Sequence, residues 1–185
     1  MNNIFTLTVN PVIDKTTTVD SLIANCKLKC STPKYYPGGG GINVSRAIRN
    51  LEGKSTAIYL AGGLSGTHFQ QLMEARGIEQ KEGRTRENLS VTDRESSLQY
   101  RFGVPGPFIN EHEWTASLEL IKTQIKRGDY LVASGKLPPG VPSNYFALVA
   151  TIVNEKKAFL ILDTKEEGLK EAVKNPIFLF KPNLG

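Results

Sequence analysis

Only two cysteines, Cys26 and Cys30, and two histidines, His68 and His112, occur among the 185 residues. Two thiols cannot build the disulfide framework of a small secreted domain, and with the histidines far off in sequence they form no zinc-binding spacing. Free thiols in a reducing cytosol are the expectation. No apolar run approaches the roughly 20 residues of a membrane span, and the start, Met1-Asn2-Asn3-Ile4, has neither the basic nor the apolar stretch of a secretory signal. The sequence therefore predicts a soluble, cytoplasmic protein with no membrane partner. Charge is mixed: 23 Lys and Arg stand against 18 Asp and Glu, a net +5, with no block of five or six like charges. Without a basic tract or interleaved aromatics, nucleic acid is not an expected partner, and the mild positive excess suits an anionic ligand.

What the chain does have is glycine in one place. Gly38-Gly39-Gly40-Gly41 follows Pro37 and precedes the apolar, arginine-punctuated run from Ile42 to Arg49. Four glycines let backbone approach a ligand closely, and a helix starting there aims its free N–H groups at the loop, which makes an anion cradle. A flexible linker is the blander reading, but linkers are not usually followed at once by a periodic helix. Two commoner glycine motifs fail on spacing. A dinucleotide fingerprint on Gly39 and Gly41 needs a glycine where Val44 stands, and a P-loop ending at Gly53-Lys54-Ser55 needs one where Ile48 stands.

Along the rest of the chain strand and helix patterns alternate. Strands are expected over 4–9, 55–61, 130–133, 158–162 and 177–180, with helices over 41–51, 66–76, 143–154 and 165–173. The Asn-x-x-Glu signature at Asn110 and Glu113 starts another helix, with Trp114, Leu118, Ile121 and Ile125 on one face and His112 on the surface. Such alternation implies an α/β fold with a mainly parallel sheet and helices on its faces. Asn10-Pro11 ends the first strand, so Asp14 is expected just past a strand end, as a ligand group or a solvated turn aspartate. Between 83 and 101 the texture changes to a polar hairpin rich in arginine, which paired with the 28–36 segment makes a small lid over an anionic substrate, or else a solvated hairpin.

Six segments then carry a family resemblance: Thr6 to Asp14, Pro37 to Arg46, Thr85 to Leu89, Tyr100 to Gly106, Ser134 to Val141, and Lys181-Pro182-Asn183. In order and spacing they resemble the ribokinase-like (PfkB) carbohydrate kinases. Within that family the likeness is to the hexose-phosphate branch of minor 6-phosphofructokinases, 1-phosphofructokinases and tagatose-6-phosphate kinases. The resemblance implies a three-layer ribokinase-like fold, residues 1–185 forming the N-terminal part of one kinase domain with a β lid from about 15–36 and 84–103. It implies ATP and magnesium as cofactors, phosphorylation of fructose 6-phosphate or a close relative in carbohydrate metabolism, and a homodimer formed through the lid. Carried over position by position, Asp14, Gly39 and Asn43 hold the sugar, and Lys27, Arg86 and Arg101 bind its phosphate. Asn88 and Ser134 are hydrogen-bonding groups nearby, and Lys181 and Asn183 face the nucleotide.

There are departures from the family pattern. Glu52 and Lys136 stand where a small residue and a serine are usual. The glutamate that organises magnesium and the later glycine-rich segment with its aspartate base have no counterpart before Gly185, so the C-terminal part of the fold is expected to be missing. The expectation is a chain that is inactive alone and leaves a sheet edge unpaired. A non-catalytic sugar-phosphate-binding or regulatory module is the alternative, as is a kinase for tagatose 6-phosphate or fructose 1-phosphate.

Overall fold

The computed structural model describes residues 2–73, 78–80 and 84–181, with 78–80 and Glu166 described in backbone alone. Its main sheet is built from β1 (Ile4–Thr8), β4 (Thr56–Gly62), β5 (Ile78–Gln80), β8 (Tyr130–Ser134), β9 (Phe159–Asp163) and β10 (Leu179–Phe180). All neighbours run parallel, in the order β10-β9-β8-β1-β4-β5. A second sheet contains β2 (Val12–Val19), β3 (Lys34–Gly38), β6 (Arg86–Asp93) and β7 (Gln99–Phe102), in the order β3-β2-β6-β7. Helices α1 (Gly40–Asn50) and α2 (Gly63–Met73) lie on one face of the main sheet, and α3 (Glu111–Gln124), α4 (Tyr145–Glu155) and α5 (Glu166–Ala172) on the other.

Alternation along the strands explains the layers. Ile58 and Leu60 of β4 join Phe5, Leu7, Leu131 and Leu160 in the core under α3 and α4, while Tyr59 and Ala61 pack with Ile42 of α1 and Phe69 of α2. Each such large side chain contributes about 1.5–3 kcal/mol by leaving water. The threonines of β1 face the α1 side and are buried there without cost because their hydroxyls are used. Thr6 shares a hydrogen bond with Ser45 (2.7 Å), and Thr8 Oγ1 accepts from the Ile42 N–H (3.1 Å). Helix α3 starts where its capping box predicts: Asn110 Oδ1 accepts from the Glu113 N–H (3.0 Å) and Glu113 Oε2 from the Asn110 N–H (2.9 Å). Leu118, Ile121 and Ile125 are buried along its inner face, and His112 is exposed.

Two expectations need correction. Asp14 lies inside β2, not in a turn after β1, because the β-branched run Val12-Ile13 and Thr16-Thr17-Thr18-Val19 starts a new strand directly after Pro11. The 28–36 segment does not pair with the arginine-rich hairpin; only 34–38 is a strand, and β2 lies between it and β6. Among the described residues, no helix is long and apolar enough to cross a membrane.

Candidate functional site

The chain passes between the two sheets at Val9–Pro11, at Gly38–Gly40 and just before Arg86, and polar residues gather at those crossings. Asp14 and Asn88 are paired in register across the parallel strands β2 and β6. Asn88 Nδ2 donates to Asp14 Oδ1 (3.2 Å), and Asn88 Oδ1 accepts from the Val104 N–H (3.2 Å). Thus Asn88 ties the carboxylate to the segment after β7. Arg86 opens β6 on the same face as Asp14 and Asn88. Its Nη1 donates to the Val104 carbonyl (3.3 Å) and its Nη2 to the Asn10 carbonyl (3.5 Å), both long bonds. Burial holds its pKa below the ordinary guanidinium value while the Asp14 charge pulls the other way; the group stays cationic. Its Nε is buried with no partner, as is Asn10 Oδ1 beside it. The Nε–H is thereby left as a donor for an anion.

The glycine turn forms the floor. Gly39 has φ +117°, which only glycine adopts without strain. Gly40 opens α1 against Ser134, where even a methyl group would lie 2.1 Å from Oγ and 2.7 Å from the carbonyl carbon. Above it, the Asp14 carboxylate lies over Gly38. No acidic residue occupies the first turn of α1, so the positive end of the helix dipole is not neutralised within the helix. Asn43 sits in that turn, exposed, with its Oδ1 accepting from Arg46 Nη2 (2.6 Å).

At the strand ends beyond the turn, Ser134 Oγ donates to Asp163 Oδ2 (3.0 Å), and Thr164 Oγ1 donates to the Gly135 carbonyl (2.9 Å). Ser134 is buried and already partnered. Asp163 follows directly on the strand expected over 158–162; its union with Ser134 joins residues 29 apart, and no local pattern signals it.

The remaining expected residues are spread more widely. Arg101 is registered with Ser90, on the same face as Asn88 and Asp14 and one strand further out; it is exposed, its Nε donating to Gln99 Oε1 (2.7 Å). Lys27 lies in the loop after β2, beyond Val19, whose bridge to Cys30 closes the far end of the small sheet. Val19 stands five positions along the strand from Asp14, roughly 17 Å of extended chain, and Lys27 lies in the loop beyond that end. Lys181 follows β10, exposed, with its N–H on the Leu162 carbonyl (2.9 Å); Asn183 lies outside the described residues. Among the described residues, no group of three or more His, Cys, Asp or Glu could hold a metal ion.

Comparison with known proteins bears on the family and the fold. The model for pfkB family carbohydrate kinases matches residues 6–184. The ATP-dependent 6-phosphofructokinase isozyme 2 of Mycobacterium tuberculosis is 38% identical over 185 residues, covering 98% of this chain and 54% of that protein. Its namesake in Escherichia coli K12 is 39% identical over 189 residues, covering 99% of this chain and 60% of that one. Among solved structures, phosphofructokinase-2 from Escherichia coli in complex with potassium superposes with a TM-score of 0.92 at 38% identity, over 100% of this chain and 61% of the other. The same enzyme in complex with fructose-6-phosphate gives 0.88, over 94% and 58%. The fold is therefore ribokinase-like, and the chain spans between half and two thirds of the length of the curated relatives it matches.

Proposed function

Since the chain belongs to the pfkB family of carbohydrate kinases, we propose that it carries the sugar-phosphate side of an ATP-dependent hexose-phosphate kinase acting on fructose 6-phosphate. The observation that carries this reading is Arg86. A half-buried guanidinium with an unpartnered Nε, set beside a carboxylate and above a glycine turn, is built for a ligand bearing both phosphate and hydroxyl groups. Asp14 is an acceptor for sugar hydroxyls, Arg86 and Arg101 are donors for the phosphate, and the glycine turn with Asn43 closes the floor. Relatives 38–39% identical are named ATP-dependent 6-phosphofructokinases, and a solved one holds fructose 6-phosphate.

In the proposed reaction the sugar hydroxyl oxygen attacks the γ-phosphorus of ATP. The bond to the leaving ADP breaks and the hydroxyl proton passes to a base. These residues position the acceptor and neutralise the charge of the substrate phosphate. Asp14 is tied to Asn88 and Asp163 to Ser134, so neither is assigned the base. The described residues gather no group of three or more His, Cys, Asp or Glu, and no step is routed through magnesium. With neither carboxylate assigned the base, turnover supported by the described residues alone is expected to be on the order of 10²–10⁴-fold slower than that of a kinase with its base in place.

We also propose self-association through the small sheet. Leu98, Tyr100 and Phe102 on β7 and its turn, and Ile23 in the neighbouring loop, are 38–57% exposed. Pairing at the tip of the small sheet would also give Lys27 a site to serve, in the second copy.

The test is an ADP-release assay with ATP, magnesium and fructose 6-phosphate, run beside tagatose 6-phosphate and fructose 1-phosphate, with thermal protection by each sugar phosphate measured in parallel. Protection by fructose 6-phosphate without turnover is expected. Protection by none of the three would overturn the reading, and turnover at ordinary kinase rates of roughly 1–100 s⁻¹ would overturn the assignment of the base elsewhere. Equal protection with no response to ATP would favour the non-catalytic binding module, which the concentration of charge on the sugar side alone recommends.

A further inference from the structure

Arg46 has no part in the site as described so far, yet its side chain reaches two of its components. It stands on α1 one turn after Asn43, exposed, and pairs with no carboxylate of the described residues. Instead its Nη2 donates to Asn43 Oδ1 at 2.6 Å, and its Nη1 donates to the Pro37 carbonyl at 3.3 Å. An exposed arginine ordinarily keeps its charge in water or beside an acid. Here the fork spans from the end of β3 to the first turn of α1, across the glycine turn.

The chemistry of the pair is directional. An asparagine amide offers an acceptor at one end and two donors at the other, and nothing in the residue itself decides which end meets a ligand. A guanidinium has donors only, so Asn43 must turn its oxygen to Arg46 and keep Nδ2 as its free end. A charged donor at this distance makes the stronger kind of hydrogen bond and fixes that orientation. Asn43 then complements Asp14, which can only accept: one group donates to a ligand oxygen and the other takes a ligand hydroxyl. The bond to Pro37 acts on the same turn from its other side. Pro37 and Gly38 are the last residues of β3, and the Pro37 carbonyl is pinned while the turn behind it holds Gly39 at φ +117°.

We propose that Arg46 is a positioning residue for sugar-phosphate binding, locking the Asn43 amide with Nδ2 free to donate and stapling the glycine turn through the Pro37 carbonyl. The inference rests on the sugar-phosphate reading of the site. A lysine cannot replace it, because one ammonium lacks the planar fork that reaches both oxygens.

Two readouts separate the inference from that reading. The first needs no ligand: the Asn43 side-chain amide signals in nitrogen-15 spectra of the chain, compared with Arg46→Met. The second is the affinity for fructose 6-phosphate, from titrated thermal protection, of the parent, Asn43→Ala, Arg46→Met, Arg46→Lys and the Asn43→Ala/Arg46→Met double variant. Arg46→Met should move the Asn43 amide signals and weaken binding by about 3- to 10-fold, the loss of one hydrogen bond's worth of orientation. Arg46→Lys should behave like Arg46→Met, and the double variant should bind no more weakly than Asn43→Ala alone. Losses that multiply in the double variant would mean that Arg46 contacts the ligand itself, and full recovery with lysine would mean that charge alone matters; either overturns the proposal. Should the parent bind no sugar phosphate, the reading of the function fails and the spectra still decide: unmoved Asn43 signals overturn the orienting role, and moved signals uphold it.

Discussion

Replacing Gly40 with alanine tests whether the contact between the glycine turn and β8 sets the site. The added methyl would lie 2.1 Å from Ser134 Oγ, 2.7 Å from Ser134 Cβ and 2.7 Å from its carbonyl carbon, the first more than an ångström short of ordinary van der Waals contact. Turning the Ser134 side chain relieves only the first clash, and it breaks the bond to Asp163 Oδ2. The other two involve atoms that move only with the strand. Helix α1 must therefore draw back from β8, carrying Asn43 with it and lengthening the Thr8 Oγ1 bond to the Ile42 N–H. Overpacking of this kind costs about 1–3 kcal/mol, and a floor displaced by about an ångström should cost at least tenfold in sugar-phosphate affinity. Urea unfolding and titrated protection by fructose 6-phosphate measure the two effects. Gly103→Ala serves as the control, since its methyl would meet nothing nearer than Asn88 Oδ1 at 3.8 Å. A Gly40→Ala chain as stable and as well protected as Gly103→Ala would refute the account of the turn.

Three further outcomes are expected. Arg86→Lys keeps the charge but loses the fork, and should weaken fructose 6-phosphate binding about tenfold, with Arg86→Ala weaker still; equal binding by the lysine variant, in the same titration, would remove the bidentate role. Glu52 holds φ +61° just past the end of α1, where a carboxylate also meets the negative end of the helix dipole, so Glu52→Gly should raise the unfolding free energy by about 1 kcal/mol in urea, and any loss of stability contradicts the strain argument. Tyr145 is fully buried; burial raises its pKa well above the ordinary value, with the Ser117 hydrogen bond opposing. Because Ser117 donates its own proton to the Trp114 carbonyl (2.6 Å), the Tyr145 hydroxyl is the donor to Ser117 Oγ. The stability that comes from keeping this phenol protonated is complete below the unfolded value of about 10 and lost as pH rises above it. Tyr145→Phe should flatten that alkaline decline in thermal melts taken from pH 8 to 11.

How much of this was readable from the chain depends on whether the signal was local. The capping box of α3 involves residues three apart, and its inner face repeats every third or fourth residue, so both stand in the sequence as they do in the fold. The parallel main sheet follows from alternation alone. The small sheet does not, because β2 is a run of threonines with Asp14 and Lys15 in it, and its partners are Gly38 and Arg86, 26 and 74 positions away from Val12. The same distance separates Asp14 from Asn88, so the hydrogen bond that orients the carboxylate left no trace in spacing. Ser134 and Asp163 each close a strand, and only the parallel register of β8 with β9 brings them together. Arg46 carries a local signal, one helical turn from Asn43, but an arginine at that spacing on a helix is ordinarily part of a solvated face, so spacing alone does not single it out.

The site residues that do converge share one property. They stand within a few positions of a point where the chain leaves one sheet for the other: Asn10 and Asp14 around Pro11, Gly38 to Asn43 around the glycine turn, and Thr85 with Arg86 at the start of β6. Thr85 shows the principle without any ligand role, its buried Oγ1 accepting from the Gly62 N–H (3.1 Å) and so joining the end of β4 to the residue before β6. A side chain deep in either sheet would be carried rigidly with that sheet. Only crossing residues have their positions set by both, so a tilt of the small sheet relative to the main one changes their mutual distances first. The long bonds of Arg86, to carbonyls on the two segments that flank it, are where such a tilt would be felt. An anion taken by Arg86 while its hydroxyls rest on Asp14 and the glycine turn would then draw the two sheets together, and binding and closure would be one event.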